Sequence, residues 1–118
     1  MILYVYSKCS TCQKALSFLE EKKFAFIRKE ITQTPPSIAD LKSMLKFMNG
    51  NMKKLFNSSG QLYREMNLSE ELKTMPEDDA LTLLSQHGML VKRPFLLADH
   101  FGLTGFNEIN WAQKLQQQ

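Results

Sequence analysis

An apolar run at residues 2–6 (ILYVY) leads directly into an amphipathic stretch and then into a second strand-like run, and this order constrains the fold more than any other feature of the chain. The first run is β-branched, aromatic and aliphatic without alternation, as a strand buried on both faces is. From about residue 10 to residue 22 the period changes. Cys12, Ala15, Leu16 and Leu19 recur at helical spacing, while Gln13, Lys14, Ser17 and Glu20 fall off that face. Residues 24–31 then return to a strand-like composition. A helix between two such runs predicts a parallel β-α-β crossover.

Pro35-Pro36 ends the second strand, and Ser37 with Asp40 three residues on predicts a helix N-terminus of the capping-box kind. Leu41, Met44, Leu45 and Met48 supply its inner face, and Gly50 is placed to end it in the left-handed conformation. Short helices are expected around the turn Ser58-Ser59-Gly60, with Leu55, Phe56, Leu62, Met66 and Leu68 inward. Another helix opens at Pro76 with Glu77, Asp78 and Asp79 in its first turn, turns Leu81, Leu84 and His87 inward, and stops at Gly88. Residues 95–98 and 103–106 read as a hairpin, and Asn107 as the cap of a last helix with Ile109, Trp111, Ala112 and Leu115 inward. Fraying is expected over 116–118. The order β-α-β, helices, β-β-α predicts an α/β chain with a thioredoxin-like (glutaredoxin-like) fold. It has a central mixed four-stranded sheet and a helical insertion at about 37–88 within a single domain, 1–118.

Composition narrows the function classes. The chain has 118 residues, 43% hydrophobic and 23% charged, which suits one globular domain with a real core. Its net charge of +3 comes from interleaved acids and bases, so no basic stripe for direct nucleic-acid binding is expected. No membrane span or export signal is read, and the expected setting is a cytoplasmic monomer.

The chemistry concentrates in Cys9-Ser10-Thr11-Cys12, between strand and helix. A helix N-terminus presents free N–H groups and a partial positive charge, which favour a thiolate at Cys9. Lys8 adds a neighbouring cation, and Cys12 lies one turn along, able to attack a mixed disulfide at the Cys9 sulfur. Two alternatives stand beside this reading: a zinc half-site, which lacks two further ligands because His87 and His100 have no ligand spacing, and a Cys12 that is only packed. Lys92-Arg93-Pro94-Phe95 precedes the third strand, where the fold faces the cysteine turn. Arg93 there brings a planar cation suited to an oxyanion or thiolate, or else is an exposed charge.

The spacing Tyr4-x-Tyr6-x-x-Cys9-x-x-Cys12-x-Lys14-Ala15 is followed in order by four segments: Pro35-Pro36-Ser37, 55–65 (LFNSSGQLYRE), 89–94 (MLVKRP) and 105–108 (GFNE). Together they resemble the arsenate reductase (ArsC)/Spx family over nearly the whole chain. The resemblance implies the same thioredoxin-like domain with a helical insertion. Its reductases use one cysteine, at the position of Cys9, surrounded by three arginines, and draw electrons from glutathione and glutaredoxin. Of the three arginines Arg93 alone is matched; the others fall on Asn57 and near Gly105, and those reductases commonly carry serine at the place of Cys12. The Spx branch shares Cys-x-x-Cys, switches through its disulfide and docks on the C-terminal domain of the RNA polymerase α subunit with a surface that includes a glycine in the region of Gly50.

Two functions follow as expectations. One is a thiol oxidoreductase of the arsenate reductase family, with Cys9 as nucleophile, Cys12 as resolving thiol and Arg93 as stabilising cation, and with Lys8, Ser10, Thr11 and Pro94 lining the substrate site. It holds no bound cofactor and uses glutathione with glutaredoxin, or thioredoxin, as donor. The other is an Spx-like redox sensor that binds the polymerase α subunit.

Overall fold

The computed structural model describes residues 1–116. Its elements run β1 (Ile2–Val5), α1 (Ser10–Glu21), β2 (Ile27–Glu30), α2 (Ile38–Phe47), α3 (Gln61–Glu65), α4 (Leu68–Glu71), α5 (Glu77–Gln86), β3 (Phe95–Leu97), β4 (Gly102–Thr104) and α6 (Glu108–Gln116), with 3-10 turns at Met52–Leu55 and Gly88–Leu90. The sheet order is β2-β1-β3-β4. β1 pairs with β2 in parallel, Ile2 opposite Ile27, and with β3 in antiparallel, Tyr4 opposite Phe95. β3 and β4 form the expected hairpin. This is the mixed four-stranded, thioredoxin-like arrangement that the order of elements predicts.

Strand alternation divides the core into two layers, because successive side chains leave a strand on opposite faces. Leu3, Val5 and Leu96 pack with Cys12, Ala15, Leu16 and Leu19 of α1 and Trp111 and Leu115 of α6. Tyr4 and Phe95 point the other way, onto Leu41, Met44, Leu81 and Leu84 of the helical insertion. The Trp111 indole N–H is satisfied by the Gly105 carbonyl at 3.0 Å, so this large side chain is buried without an orphan donor.

The caps follow their local chemistry. Ser37 Oγ accepts from the Asp40 amide at 3.1 Å, and Asn107 Oδ1 from the Asn110 amide at 3.0 Å. At the end of α2 the left-handed residue that closes the turn is Asn49, φ +57°. Its amide reaches the Lys46 carbonyl while the Gly50 amide reaches that of Leu45. Gly50, expected as the left-handed residue, follows it with φ +79°. Lys23, φ +61°, closes α1 in the same way, which keeps 24–26 out of the sheet and shortens β2 to Ile27–Glu30.

Other expectations are corrected. His87 is exposed, because the chain leaves α5 at this residue and turns into the Gly88–Leu90 segment. Ile109 is 70% exposed, since α6 presents Trp111 and Leu115 to the core. β4 begins and ends earlier than 103–106, and Phe106 instead packs edge-on against Trp111. Gln116 belongs to α6, while 117–118, the rest of the fraying expectation, lie outside the described residues. Among the described residues no helix is long and apolar enough to cross a membrane.

Candidate active site

Cys9 is the N-cap residue of α1, with extended backbone, and its carbonyl receives the first helical hydrogen bond, from the Gln13 amide at 3.1 Å. Four interactions shape the turn before it. The Cys9 amide donates to the Tyr6 carbonyl at 3.0 Å, and the Tyr6 amide donates to Cys12 Sγ at 3.5 Å. The Ser7 amide donates to the Glu30 carboxylate at 3.1 and 3.2 Å, and the Gln13 side chain donates to the Ser7 carbonyl at 2.9 Å. The tip of β1, the end of β2 and the first turn of α1 thus close on the same loop.

The two cysteines have opposite environments. Cys9 is half-buried, and burial alone would raise its pKa. That effect is outweighed by the Cys12 amide, the Cys12 thiol, the Thr11 amide and the charge of Arg93, which together hold the Cys9 thiol below its ordinary value. No cap hydrogen bond closes fully on the Cys9 side chain, yet these amides face its sulfur as they face an anion at a helix start. Cys12 is completely buried. Burial pushes its thiol up to about 12 and the neighbouring Cys9 sulfur adds to the rise, against the Tyr6 amide and Arg93. One thiol is prepared to ionise and its neighbour to keep its proton.

Arg93 reaches this pair from the segment before β3. Its peptide bond to the buried Pro94 is cis. The neighbouring backbone is held by the insertion: Phe56 pairs with Val91, the Asn57 amide donates to the Leu90 carbonyl at 2.7 Å, and the Lys92 amide donates to the Leu55 carbonyl at 2.8 Å. The guanidinium lies over the Tyr6 ring, 5.1 Å from its centroid, and Nη1 donates to the Met89 carbonyl at 3.2 Å. Its Nε is buried without a partner. An orphan donor of this kind costs about 1–3 kcal/mol.

Cys9, Cys12, Arg93, Pro94 and Thr11 are therefore brought to one end of the sheet. Ser10 begins α1 and is exposed. Lys8 is exposed too, on the turn before Cys9. Asn57 faces its own turn and accepts from Ser59. Gly105 has φ +70° and a lysine, Lys92, packed beside it. Tyr6, Glu30 and Gln13 were not legible as site residues, because each acts through a contact that only the folded loop creates. Among the described residues no group of three or more His, Cys, Asp or Glu side chains is placed to hold a metal ion. A hollow of about 610 Å3 lies at the opposite end of the sheet, lined by Met1, Phe24, Phe47, Asp99 and His100, away from both cysteines.

Comparison with known proteins places this geometry in a family. Residues 4–113 match the ArsC family. The chain belongs to the ArsC family. It is similar to the uncharacterized protein YusI of Bacillus subtilis, with 41% identity over 95% of this chain and 98% of that one. It is also similar to the global transcriptional regulator Spx of Bacillus subtilis, with 27% identity over 90% of this chain and 79% of Spx. Among solved structures, that of a possible arsenate reductase from Streptococcus mutans superposes with a TM-score of 0.85 at 32% identity, covering 94% of this chain and 96% of the other. The family thus has both regulators and arsenate-reductase-like proteins among this chain's relatives.

Proposed function

We propose that this ArsC-family chain is a cytoplasmic thiol oxidoreductase that reduces arsenate, with Cys9 as nucleophile and Cys12 as resolving thiol. The observation that carries the reading is geometric: Cys9 caps the start of α1, Cys12 lies buried one turn along, and the Arg93 guanidinium is held over Tyr6 beside them, an arrangement that keeps the Cys9 thiol low and pushes that of Cys12 up. The Cys9 thiolate attacks arsenic and displaces one oxygen, which leaves as water after taking up protons. Cys12 then attacks the Cys9 sulfur, its proton passing to an oxygen of the departing arsenite. The sulfur–arsenic bond breaks with its electron pair remaining on arsenic, so arsenic is reduced to arsenite and the two cysteines are oxidised to a disulfide. Glutathione with glutaredoxin, or thioredoxin, returns two electrons to the pair. Arg93 stabilises first the thiolate and then the oxyanion, and the Thr11 and Cys12 amides support the same charge. Ser10 and the buried Pro94 border the approach to the sulfur.

Arsenite formation with glutathione and glutaredoxin tests this directly. Wild-type turnover is expected, Cys9→Ser is expected to fall to background, and Cys12→Ser is expected to lose the intramolecular disulfide. Absence of turnover, together with Cys9 alkylation that follows an ordinary thiol, removes the proposal.

One observation favours a second reading. Gly50 is exposed at the end of α2 with nothing within 4 Å of a Cβ added there, and the sequence resemblance sets Asn57 and the neighbourhood of Gly105 at the places of two reductase arginines. In that reading the chain is a redox sensor docking on the RNA polymerase α C-terminal domain. Capture of that domain by oxidised and reduced protein decides it, and no binding in either state ends it.

A further inference from the structure

We infer that Tyr6 is the positioning residue of the site: its ring holds the Arg93 guanidinium beside the thiol pair without neutralising it. A cation that must serve a thiolate has to be located by something. A carboxylate would locate it and consume its charge; an aromatic face attracts it through the ring quadrupole and leaves the charge available. Among the described residues the ion pair present is Lys73 with Glu70, far along the insertion, so no carboxylate holds Arg93. Its contacts are the Met89 carbonyl at 3.2 Å and the Tyr6 ring at 5.1 Å, while Nε has no acceptor.

Tyr6 is also tied to both sulfurs through its backbone. Its amide donates to Cys12 Sγ, and its carbonyl accepts from the Cys9 amide. One residue therefore sets three positions: the nucleophile, the resolving thiol and the cation. The groups facing Cys9 are the Cys12 thiol and amide, the Thr11 amide and Arg93. Removing the ring takes away the support of the one charged group among them while leaving the backbone contacts intact. For turnover this inference rests on the reading of Cys9 as nucleophile, but the placement of Arg93 is measurable without substrate.

The experiment compares Tyr6→Phe and Tyr6→Leu, each alone and combined with Arg93→Met, in the full reduced chain. Iodoacetamide alkylation of Cys9 is followed across pH, and the side-chain proton shifts of Arg93 are read by NMR. Tyr6→Leu is expected to slow alkylation near pH 6.5 by about two- to threefold and to move the profile to higher pH, a modest effect because Arg93 is the smallest of the influences that hold the Cys9 thiol down. Tyr6→Phe is expected to restore the wild-type profile, and in the Arg93→Met background Tyr6→Leu is expected to add nothing. The Arg93 side-chain protons are expected upfield in wild type and Tyr6→Phe, and at ordinary positions in Tyr6→Leu. Equal slowing with and without Arg93 would mean a structural role and overturn the inference. So would an Arg93 without ring-current shifts, whatever the thiol does. Ring-current shifts with an ordinary wild-type Cys9 would instead sustain the placement and remove the nucleophile reading.

Discussion

Raising the pH of the fully reduced protein should weaken it through one buried sulfur. The Cys12 thiol has an ordinary value of 9.0 and is pushed up to about 12 by burial first and then by the Cys9 sulfur. The unfolded chain therefore releases this proton near pH 9 while the folded chain keeps it. An acid whose folded pKa is raised contributes no penalty below the unfolded value, and stability falls as pH rises between the two. Integrating over that window, the Cys12 contribution to the loss at pH 10 relative to neutral pH is on the order of 1 kcal/mol, a decade of ionisation that only the unfolded state enjoys. With a urea slope near 1.5 kcal/mol/M, Cys12 taken alone lowers the midpoint by somewhat under about 1 M. Cys9 acts in the opposite sense at lower pH. Its folded value is held down, so its contribution is lost as pH falls through that value and is complete above the unfolded one. Tyr4, raised by burial and its hydrogen bond to Asp40, adds to the loss mainly above pH 10, which sets the upper limit of the measurement. The assay is urea unfolding under reductant at pH 7, 9 and 10 for wild type and Cys12→Ala. The variant starts lower by about 1–2 kcal/mol, because the Tyr6 amide loses its acceptor and a small void opens. Its further loss between pH 9 and 10 should be smaller than that of wild type by about 1 kcal/mol. Identical alkaline losses in the two proteins would refute the assignment of Cys12 as the retained proton, and with it the division of roles.

Two further outcomes test the frame that carries the site. Gly88→Ala should cost more than about 3 kcal/mol in urea unfolding, because a Cβ there would lie 2.0 Å from the Ile31 carbonyl oxygen, a backbone atom that cannot swing away; a loss under about 1 kcal/mol would show that this crossing yields easily. Asn107→Ala should cost about 1 kcal/mol by the same assay through loss of the cap on the Asn110 amide, while Asn107→Asp should retain stability near wild type.

The division between sequence and tertiary structure follows from the range of the forces involved. Local rules were sufficient wherever a residue's partner lies within a turn or two. The change of period after residue 6, the Ser37 and Asn107 caps and the cysteine at a helix start are legible because their geometry is set by neighbours along the chain. Even the opposed tendencies of Cys9 and Cys12 were half visible, since one precedes the helix and the other sits on its apolar face. Local rules misplaced the start of β2, where the left-handed turn after α1 is taken by Lys23, a residue other than glycine.

What only the folded chain decided is contact across long separations. The insertion pairs Phe56 with Val91, and that pairing delivers Arg93 to a ring 87 positions earlier in the chain. No periodicity records that meeting. Tyr6 reads as the last residue of a strand until the sheet brings β3 beside β1, and Gly88 reads as a helix stop until Ile31 is laid against it. Apolar patterning determined which elements form and which faces they bury. The position of one charge relative to one sulfur was decided by how those elements pack, because electrostatics at a few ångströms depends on placement that sequence spacing does not encode.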